Sequence, residues 1–397
     1  MFQWAPANVR LFGLFLSYTT VGIFLFFSFF IGSPKIAYLI DKLKLKLRIS
    51  QYSFLLVLVI FAFCIRLPFV QFNPVSDDEP YYISSSLLYI EGFGEGFGSE
   101  KFVANYEHPP LVKYLMGGYL KTLFPSINIE YSREITNNEL LIHGRLFNVF
   151  LGSLTLIPLY FLAEKIRKNL GFFSVFFLAL NPSHARMSGL AYLDITMIFF
   201  GVCSILFVIR FLEESNLRNI IFSGTVTGFL LSTKSIQPLL FVIPIIPLIL
   251  IHWKKIPGYI LSLGISFGVL LALWTPLLWN FGVYRIIDFL NWVFSHWTVQ
   301  VTSMIGPSLS YVALWNLSVP ELILIIICCF FVFSIIVIDF KEKRGNYKSL
   351  VTILAILIPL FLLQIERRGA VYYWTSLTPF FSIILAETLY VIQKRFN

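Results

Sequence analysis

Long apolar stretches recur along the whole chain, and they restrict it to one kind of fold. Several have close to the length of about twenty residues that crosses a bilayer as a helix, and they carry almost no charge. Because 57% of the residues are hydrophobic and only 13% are charged, the chain has more apolar surface than one soluble core buries. The sequence therefore predicts an all-α polytopic membrane protein.

The distribution of basic residues orients the predicted helices. The net charge of +9 is concentrated in short segments between apolar stretches. This pattern is typical of cytoplasmic loops and does not indicate a nucleic-acid partner. The segments expected in the cytoplasm are 35–48, 165–168, 254–255, 341–348 and 394–395. About eleven spans place all of these basic segments in the cytoplasm, with the N-terminus outside and the C-terminus in the cytoplasm. These spans are approximately 10–32, 52–72, 142–163, 170–184, 189–212, 219–234, 237–252, 257–278, 319–340, 350–365 and 371–392.

One apolar segment, Leu111 to Phe124, is too short to cross the bilayer. Counting it as a span would also move the later basic segments outside, so we expect a helix in the outer interface. Two outer loops follow from this topology, at about 73–141 and 279–318. Residues 1–50 form an extra N-terminal helix and a basic loop, and 51–397 form the main membrane domain. We expect a multi-pass protein of the cell membrane whose functional site faces the extracytoplasmic side.

Three consecutive carboxylates, Asp77, Asp78 and Glu79, begin the first outer loop. Adjacent carboxylates repel one another, which favours protonation of one member or a bound cation. Either outcome suits a site that needs a general base. The alternative is a solvated helix start, with an aspartate as the cap and Pro80 in the first turn.

A second polar motif, Glu107-His108-Pro109-Pro110, stands at the entrance to the interfacial helix. Its two prolines fix the backbone and start a helix at little cost. Between the two motifs lies the glycine-rich segment 91–98. It superficially resembles a phosphate-binding loop but lacks the lysine and the following helix of that motif, so we interpret it as a flexible turn.

A few charged residues depart from the general placement of charge. They lie on or near the outer side, although basic residues favour the cytoplasmic side, or they lie inside a span. A lipid phosphate entering from the outer leaflet would need such cations; the alternative is that they anchor helices at the interface. Asp194 falls inside a predicted span, where a carboxylate needs a partner or a polar cavity. The candidate phosphate ligands are Arg145, Arg186, Lys234, Arg367 and Arg368.

Taken in order, these motifs resemble the protein O-mannosyltransferases and aminoarabinose-lipid transferases of the C-type membrane glycosyltransferase (GT-C) superfamily. The resemblance covers about 55–395. The motifs are Asp78-Glu79, His108-Pro109-Pro110-Leu111-Val112-Lys113, Arg145-Leu146 with Gly152-Ser153-Leu154-Thr155, Leu193-Asp194, Ser232-Thr233-Lys234, and Arg368 with Tyr372, Tyr373 and Pro379. The chain departs from the family in its extra N-terminal span, in Tyr106-Glu107, where the family has an aspartate, and in lacking a large insertion in the second outer loop.

The resemblance implies a GT-C-like catalytic domain that transfers one sugar from a polyprenyl or dolichyl phosphate to an acceptor hydroxyl, with inversion. Asp78 would be the general base, and Glu79 would be the second catalytic carboxylate, positioning acceptor or sugar together with His108. Lys234 and Arg368 would stabilise the leaving phosphate. The further substrate-binding residues would be Asp77, Glu107, Lys113, Arg145, Asp194, Arg367, Tyr372 and Tyr373.

The sequence leaves several alternatives open. The acceptor is a protein, a lipid or a glycan, and the sugar is not specified. No metal-binding spacing is recognisable, although Asp77, Asp78 and Glu107 are candidate ligands for a divalent cation. The competing class is a transporter or flippase of lipid-linked sugars. Such a protein would show repeated halves and ionisable residues near mid-membrane, whereas this chain concentrates acidic residues in one outer loop.

Overall fold

The fold, taken from a computed structural model, is described for residues 7–30, 51–76, 78–106, 108–127, 137–282, 284, 287–292, 294–295, 323–324, 326–334, 352–355 and 370–396. Within these ranges the regular structure is helical and contains no strand, which confirms the predicted fold class. The main helices are α1 (Ala7–Phe30), α2 (Gln51–Phe72), α3 (Glu79–Glu95), α4 (Leu111–Leu123), α5 (Asn138–Leu154), α6 (Leu156–Ile166), α7 (Gly171–Leu180), α8 (Pro182–Ser188), α9 (Asp194–Glu213), α10 (Leu217–Leu231), α11 (Leu239–Val242), α12 (Ile246–Ile251), α13 (Ile256–Phe281) and α14 (Ala370–Phe396).

Six helical stretches in the described residues are long and apolar enough to cross a membrane. A helix suits this solvent because it satisfies its own backbone hydrogen bonds without water. The six are Leu11–Ser28, Gln51–Phe72, Asn138–Ile166, Asp194–Glu213, Trp253–Trp279 and Trp374–Ile392. The predicted spans 319–340 and 350–365 fall largely outside the described residues, which show helix only at 323–324, 326–334 and 352–355. The number of eleven spans therefore stays a prediction.

Prolines explain where helix boundaries differ from the predicted ones. The span predicted at 142–163 consists of α5 and α6, which meet at Thr155. In a continuous helix the ring of Pro158 would clash with the carbonyl four residues earlier, so the helix breaks there. The span predicted at 170–184 ends at Leu180. Asn181 starts α8 instead, because its side chain accepts a hydrogen bond from the backbone N–H of His184 at 2.8 Å, with Pro182 in the first turn.

The segment predicted as the first outer loop contains two helices that pack side by side. The turn predicted at 91–98 is only partly correct, because α3 continues through Glu95 and the chain turns at Gly96, whose φ is 97°. The helix predicted after the diproline is confirmed as α4. Gly117 lets α4 approach α3 closely, since a Cβ at this position would overlap the backbone carbonyl of Ser86. The starts of α3 and α4 are also neighbours, because the Tyr82 hydroxyl lies 3.5 Å from Nε2 of His108.

The bundle has two distinct ends. One, the site end, contains the starts of α3, α4 and α9 and the end of α10; the backbone N–H of Leu111 donates to the carbonyl of Ser232 there, at 3.0 Å. The other, the distal end, contains the end of α9, where Lys165 pairs with Glu213 at 2.5 Å. Since α9 has 20 residues and rises about 1.5 Å per residue, the two ends are about 30 Å apart.

Candidate active site

Glu79 is fully buried at the start of α3 and is bound by four donors. Arg145 of α5 binds it in a bidentate fashion: Nε donates to Oε1 at 2.8 Å and a terminal guanidinium nitrogen donates to Oε2 at 2.7 Å. The backbone N–H groups of Ser76 and Ala191 donate to the same two oxygens, at 3.0 and 2.8 Å. A carboxylate held in this way serves to fix the chain around it.

Arg145 also orders the turn that leads into Asp78. Its remaining N–H groups donate to the carbonyls of Val70 at 2.7 Å, Asn73 at 3.0 Å and Pro74 at 3.1 Å. These carbonyls belong to the end of α2 and the residues after it, where no helical partner is available. The guanidinium therefore connects α2, α3 and α5 at the site end.

The segment 189–193, predicted as part of a span, is not helical, and α9 begins only at Asp194. Asn148 of α5 explains the difference, because its amide donates to the carbonyls of Leu190 and Tyr192, each at 2.6 Å. Glu79 likewise accepts a hydrogen bond from the Ala191 N–H. Polar side chains thus satisfy backbone groups of this segment that would otherwise pair within a helix. Asp194 consequently lies at the first residue of its span, at the site end, and not in the middle of the span.

Asp194 has Lys234 as its partner. The Lys234 ammonium lies 2.9 Å from both carboxylate oxygens, and both residues are buried. Lys234 belongs to the loop after α10, and Ser232 of this loop accepts the hydrogen bond from Leu111 at the start of α4. The pair therefore lies beside the motif that contains His108.

Lys113 holds the loop that presents His108. Its buried ammonium donates to the carbonyls of Ala104 at 3.3 Å and His108 at 2.9 Å, and also to that of Asn105. It lies 4.6 Å from the ring centroid of Tyr89. Asn105 has a φ of 53°, an uncommon conformation for a residue with a side chain, and the carbonyls of its loop converge on one cation.

Asp78 directly precedes the buried Glu79 and is the N-cap residue of α3. It is half-buried, and its side chain makes no capping hydrogen bond to α3. Tyr82, four residues later, lies on the same helix face. The Tyr82 hydroxyl is 3.5 Å from Nε2 of His108, and its ring centroid is 5.7 Å from that of Tyr192.

The aromatic row extends to the segment after α13, where the ring of Trp292 lies 5.9 Å from that of His108. The candidate site residues named from the sequence include none of Tyr82, Tyr192 and Trp292. A signal existed for Tyr82, since its spacing of four from Asp78 places both on one face of a helix. No comparable signal joins Tyr192 or Trp292 to the site, because both contacts depend on the tertiary fold.

Arg186 adds a further cation at the site end, and its backbone carbonyl accepts from the amide of Asn73 at 3.0 Å. Burial lowers the pKa of its guanidinium to about 10. Arg186 therefore remains positively charged at neutral pH.

Several of the predicted site residues are not among those that the structure describes. Asp77, Glu107, Arg367 and Arg368 fall outside the described residues, and the side chains of Tyr372 and Tyr373 in α14 are likewise not described. Their roles stay predictions. No group of three His, Cys, Asp or Glu side chains in the described ranges is placed to hold a metal ion. The predicted cation site is not tested by this, because Asp77 and Glu107 belong to it.

The fold and the site together define a polytopic α-helical membrane protein with a polar site at one end of the bundle. A family assignment follows from the sequence. The chain belongs to the dolichyl-phosphate-mannose-protein mannosyltransferase family, whose model matches residues 98–316. This confirms the resemblance to the protein O-mannosyltransferases. No curated protein sequence matches the chain significantly.

Two solved structures share the fold. ArnT from Cupriavidus metallidurans, bound to undecaprenyl phosphate, superposes with a TM-score of 0.60 at 15% identity, over 85% of this chain and 60% of that one. The apo oligosaccharyltransferase of Archaeoglobus fulgidus superposes with a TM-score of 0.55 at 13% identity, over 84% of this chain and 50% of that one. The chain thus spans three fifths of ArnT and half of the archaeal protein, and the architecture is that of the GT-C group.

Proposed function

We propose that this protein is a glycosyltransferase that transfers one sugar from a polyprenyl- or dolichyl-phosphate donor to an acceptor hydroxyl, with inversion at the anomeric carbon. Family membership and the fold shared with ArnT support this class. One observation carries the proposal: motifs that are far apart in sequence meet at one end of the bundle. These motifs contain Asp78, His108 and the pair of Asp194 and Lys234.

Asp78 is assigned as the general base that removes the proton from the attacking hydroxyl. Its neighbour Glu79 has all its hydrogen-bonding capacity committed to Arg145 and to backbone N–H groups. Asp78 is half-buried and lies four residues before Tyr82, whose ring packs against that of Tyr192, and aromatic rings of this kind suit the stacking of a sugar. We therefore assign Glu79, Arg145 and Lys113 as positioning residues that hold Asp78 and His108 in place.

Lys234 is assigned to the donor phosphate. The leaving phosphate carries developing charge, and a fixed cation stabilises it without needing a general acid. Asp194 orients the ammonium through both of its oxygens, so the cation is already in place before the donor arrives. Arg368, from the sequence resemblance, is the proposed second phosphate ligand.

The orientation belongs to the same proposal. Lys165, Lys254 and Lys255 lie at the distal end, and the basic bias of cytoplasmic loops places that end inside the cell. The site end then faces the outside of the cell membrane. Mannose as the sugar and a protein hydroxyl as the acceptor are the first pair to test, with lipid or glycan acceptors as alternatives.

The test uses the purified protein in lipid nanodiscs with radiolabelled polyprenyl-phosphate mannose and other polyprenyl-phosphate sugars, offered to peptide, lipid and glycan acceptors. Asp78→Asn should slow transfer by about two to four orders of magnitude while donor binding stays intact. Asp77→Asn is the matched control and should slow it far less. If Asp77→Asn abolishes transfer and Asp78→Asn does not, the base is the other aspartate. The transporter hypothesis is correct if the donor binds, no label moves to any acceptor, and the protein in liposomes moves the donor across the bilayer.

A further inference from the structure

A cavity of about 410 Å³ lies at the distal end, remote from the candidate active site. It is bounded by the last turns of α6 and α9 and the first turns of α10. About 30 Å separate it from Asp194 at the other end of α9. It therefore cannot hold the reacting groups of a sugar bound at Asp78.

Two stacked rings form one wall of this cavity. Phe207 and Phe222 have centroids 5.4 Å apart and an interplanar angle of 19°. The Arg210 guanidinium carbon lies 5.5 Å from the centroid of Phe207, and that of Arg218 lies 5.5 Å from the centroid of Phe222. Each guanidinium is thereby held against a ring while its N–H edge stays available for an anion.

The charges around the two arginines are not balanced by ion pairs. In the described part of the chain, Glu213 pairs with Lys165 at 2.5 Å, and neither Arg210 nor Arg218 forms an ion pair. Glu214 also lines the cavity. The lining thus has three cations and two carboxylates, so it suits a monoanion better than a dianion, which the two carboxylates would repel more strongly.

The cavity also continues into an apolar, outward-facing surface. Phe222 is 42% exposed, Ile221 is 45% exposed and Leu217 is 64% exposed, all on the first turns of α10. Since α9 is a membrane span that ends here, these side chains lie where headgroups give way to hydrocarbon. An occupant with a phosphate and apolar chains would fit both parts.

We propose that this cavity binds the phosphate diester of an anionic glycerophospholipid from the leaflet opposite the active site. Arg210 and Arg218 bind the phosphate oxygens, and the exposed face of α10 contacts the acyl chains. A diester carries one negative charge, in agreement with the net charge of the lining. A lipid bound here connects α9 to α10 at the end remote from Asp194 and Lys234, and stabilises the folded protein more as its concentration rises above its dissociation constant.

The experiment measures lipid binding by native mass spectrometry and Tm in phosphatidylcholine nanodiscs with or without phosphatidylglycerol. Phosphatidylglycerol should raise the Tm of the wild type, and Arg210→Gln with Arg218→Gln should weaken its binding about ten- to a hundredfold. Lys254→Gln is the matched control, because Lys254 also lies over an aromatic ring, Trp253, at the distal end. This control should bind phosphatidylglycerol as the wild type does.

Each other outcome overturns the proposal. An equal loss in Lys254→Gln would show diffuse attraction to a basic surface. Saturation by inorganic phosphate in pure phosphatidylcholine, with the same Tm increase, would identify free phosphate as the ligand. Glu214→Gln keeps both arginines and removes a repelling charge, so it should bind phosphatidylglycerol more tightly even if the arginine variants do not fold. Unchanged or weaker binding in Glu214→Gln would refute the site.

Discussion

At the scale of single residues, Asp78 and Glu79 are neighbours in sequence with different surroundings. The family resemblance assigned them different roles, with Asp78 as the general base and Glu79 as a residue that positions acceptor or sugar. The bidentate contact of Glu79 with Arg145 joins residues 66 positions apart, and no local pattern reveals such a pairing. Asp78 precedes α3 as its N-cap residue and is half-buried, whereas Glu79 is fully buried, which is why the two carry different proposed roles.

Glu79→Gln should destabilise the protein by about 3–5 kcal/mol, because it leaves the buried Arg145 guanidinium without its counter-charge. The measurement is the Tm of the purified variant in one detergent. Glu95→Gln is the control: Glu95 pairs with Lys101 on the surface, so its loss should leave Tm almost unchanged. A normal Tm together with abolished transfer in Glu79→Gln would show instead that Glu79 acts directly in catalysis.

The Asp194 and Lys234 pair permits a sharper test of the phosphate assignment. Lys234→Ala should weaken donor binding about ten- to a hundredfold, since it removes a charge-assisted hydrogen bond. Replacing both residues, as in Asp194→Leu with Lys234→Met, should restore Tm relative to either single change but should not restore donor affinity. Donor affinity is measured by titration in nanodiscs. Full recovery of donor affinity in the double variant would mean that the pair only holds the fold.

At the scale of helices, apolar length predicted most elements but not their breaks. The spans before residue 282 correspond to helices in nearly every case, because lipid leaves the backbone few alternatives. The interruptions depend on specific partners instead: Pro158 divides α5 from α6, and Asn148 holds 189–193 out of helix. The first of these is visible in sequence as a proline, and the second is not.

The contact between α3 and α4 should control the position of His108. Gly117→Ala places a methyl group against the Ser86 carbonyl, so α4 must shift, at a cost of about 1–3 kcal/mol. Because α4 starts directly after the diproline, the shift should lower the rate of transfer more than it lowers donor affinity. Gly118→Ala is the matched control, since a Cβ there meets nothing within 4 Å. Equal rates in the two variants would show that the contact does not position the site.

At the scale of the whole molecule, the placement of charge agrees with the proposed function. The acidic and aromatic motifs gather at the site end, and Lys165, Lys254 and Lys255 lie at the distal end. Apolar length and loop charge were sufficient to predict this separation. They could not predict which residues meet, since Asp194 and Lys234 are 40 positions apart and are joined only when α9 and α10 pack.

The proposed orientation predicts which end of the bundle is accessible from outside an intact cell. In a variant whose four native cysteines are replaced by alanine, a cysteine at Glu95, in the predicted first outer loop, should react with a membrane-impermeant maleimide. A cysteine at Lys254 at the distal end should react only after permeabilisation, because basic loops are retained in the cytoplasm. Both positions are solvent-exposed in the structure, so differences in burial do not explain a difference in labelling. Labelling of Lys254→Cys in intact cells without labelling of Glu95→Cys would invert the topology. Asp78 would then face the cytoplasm, and the donor would have to present its sugar from the inner leaflet.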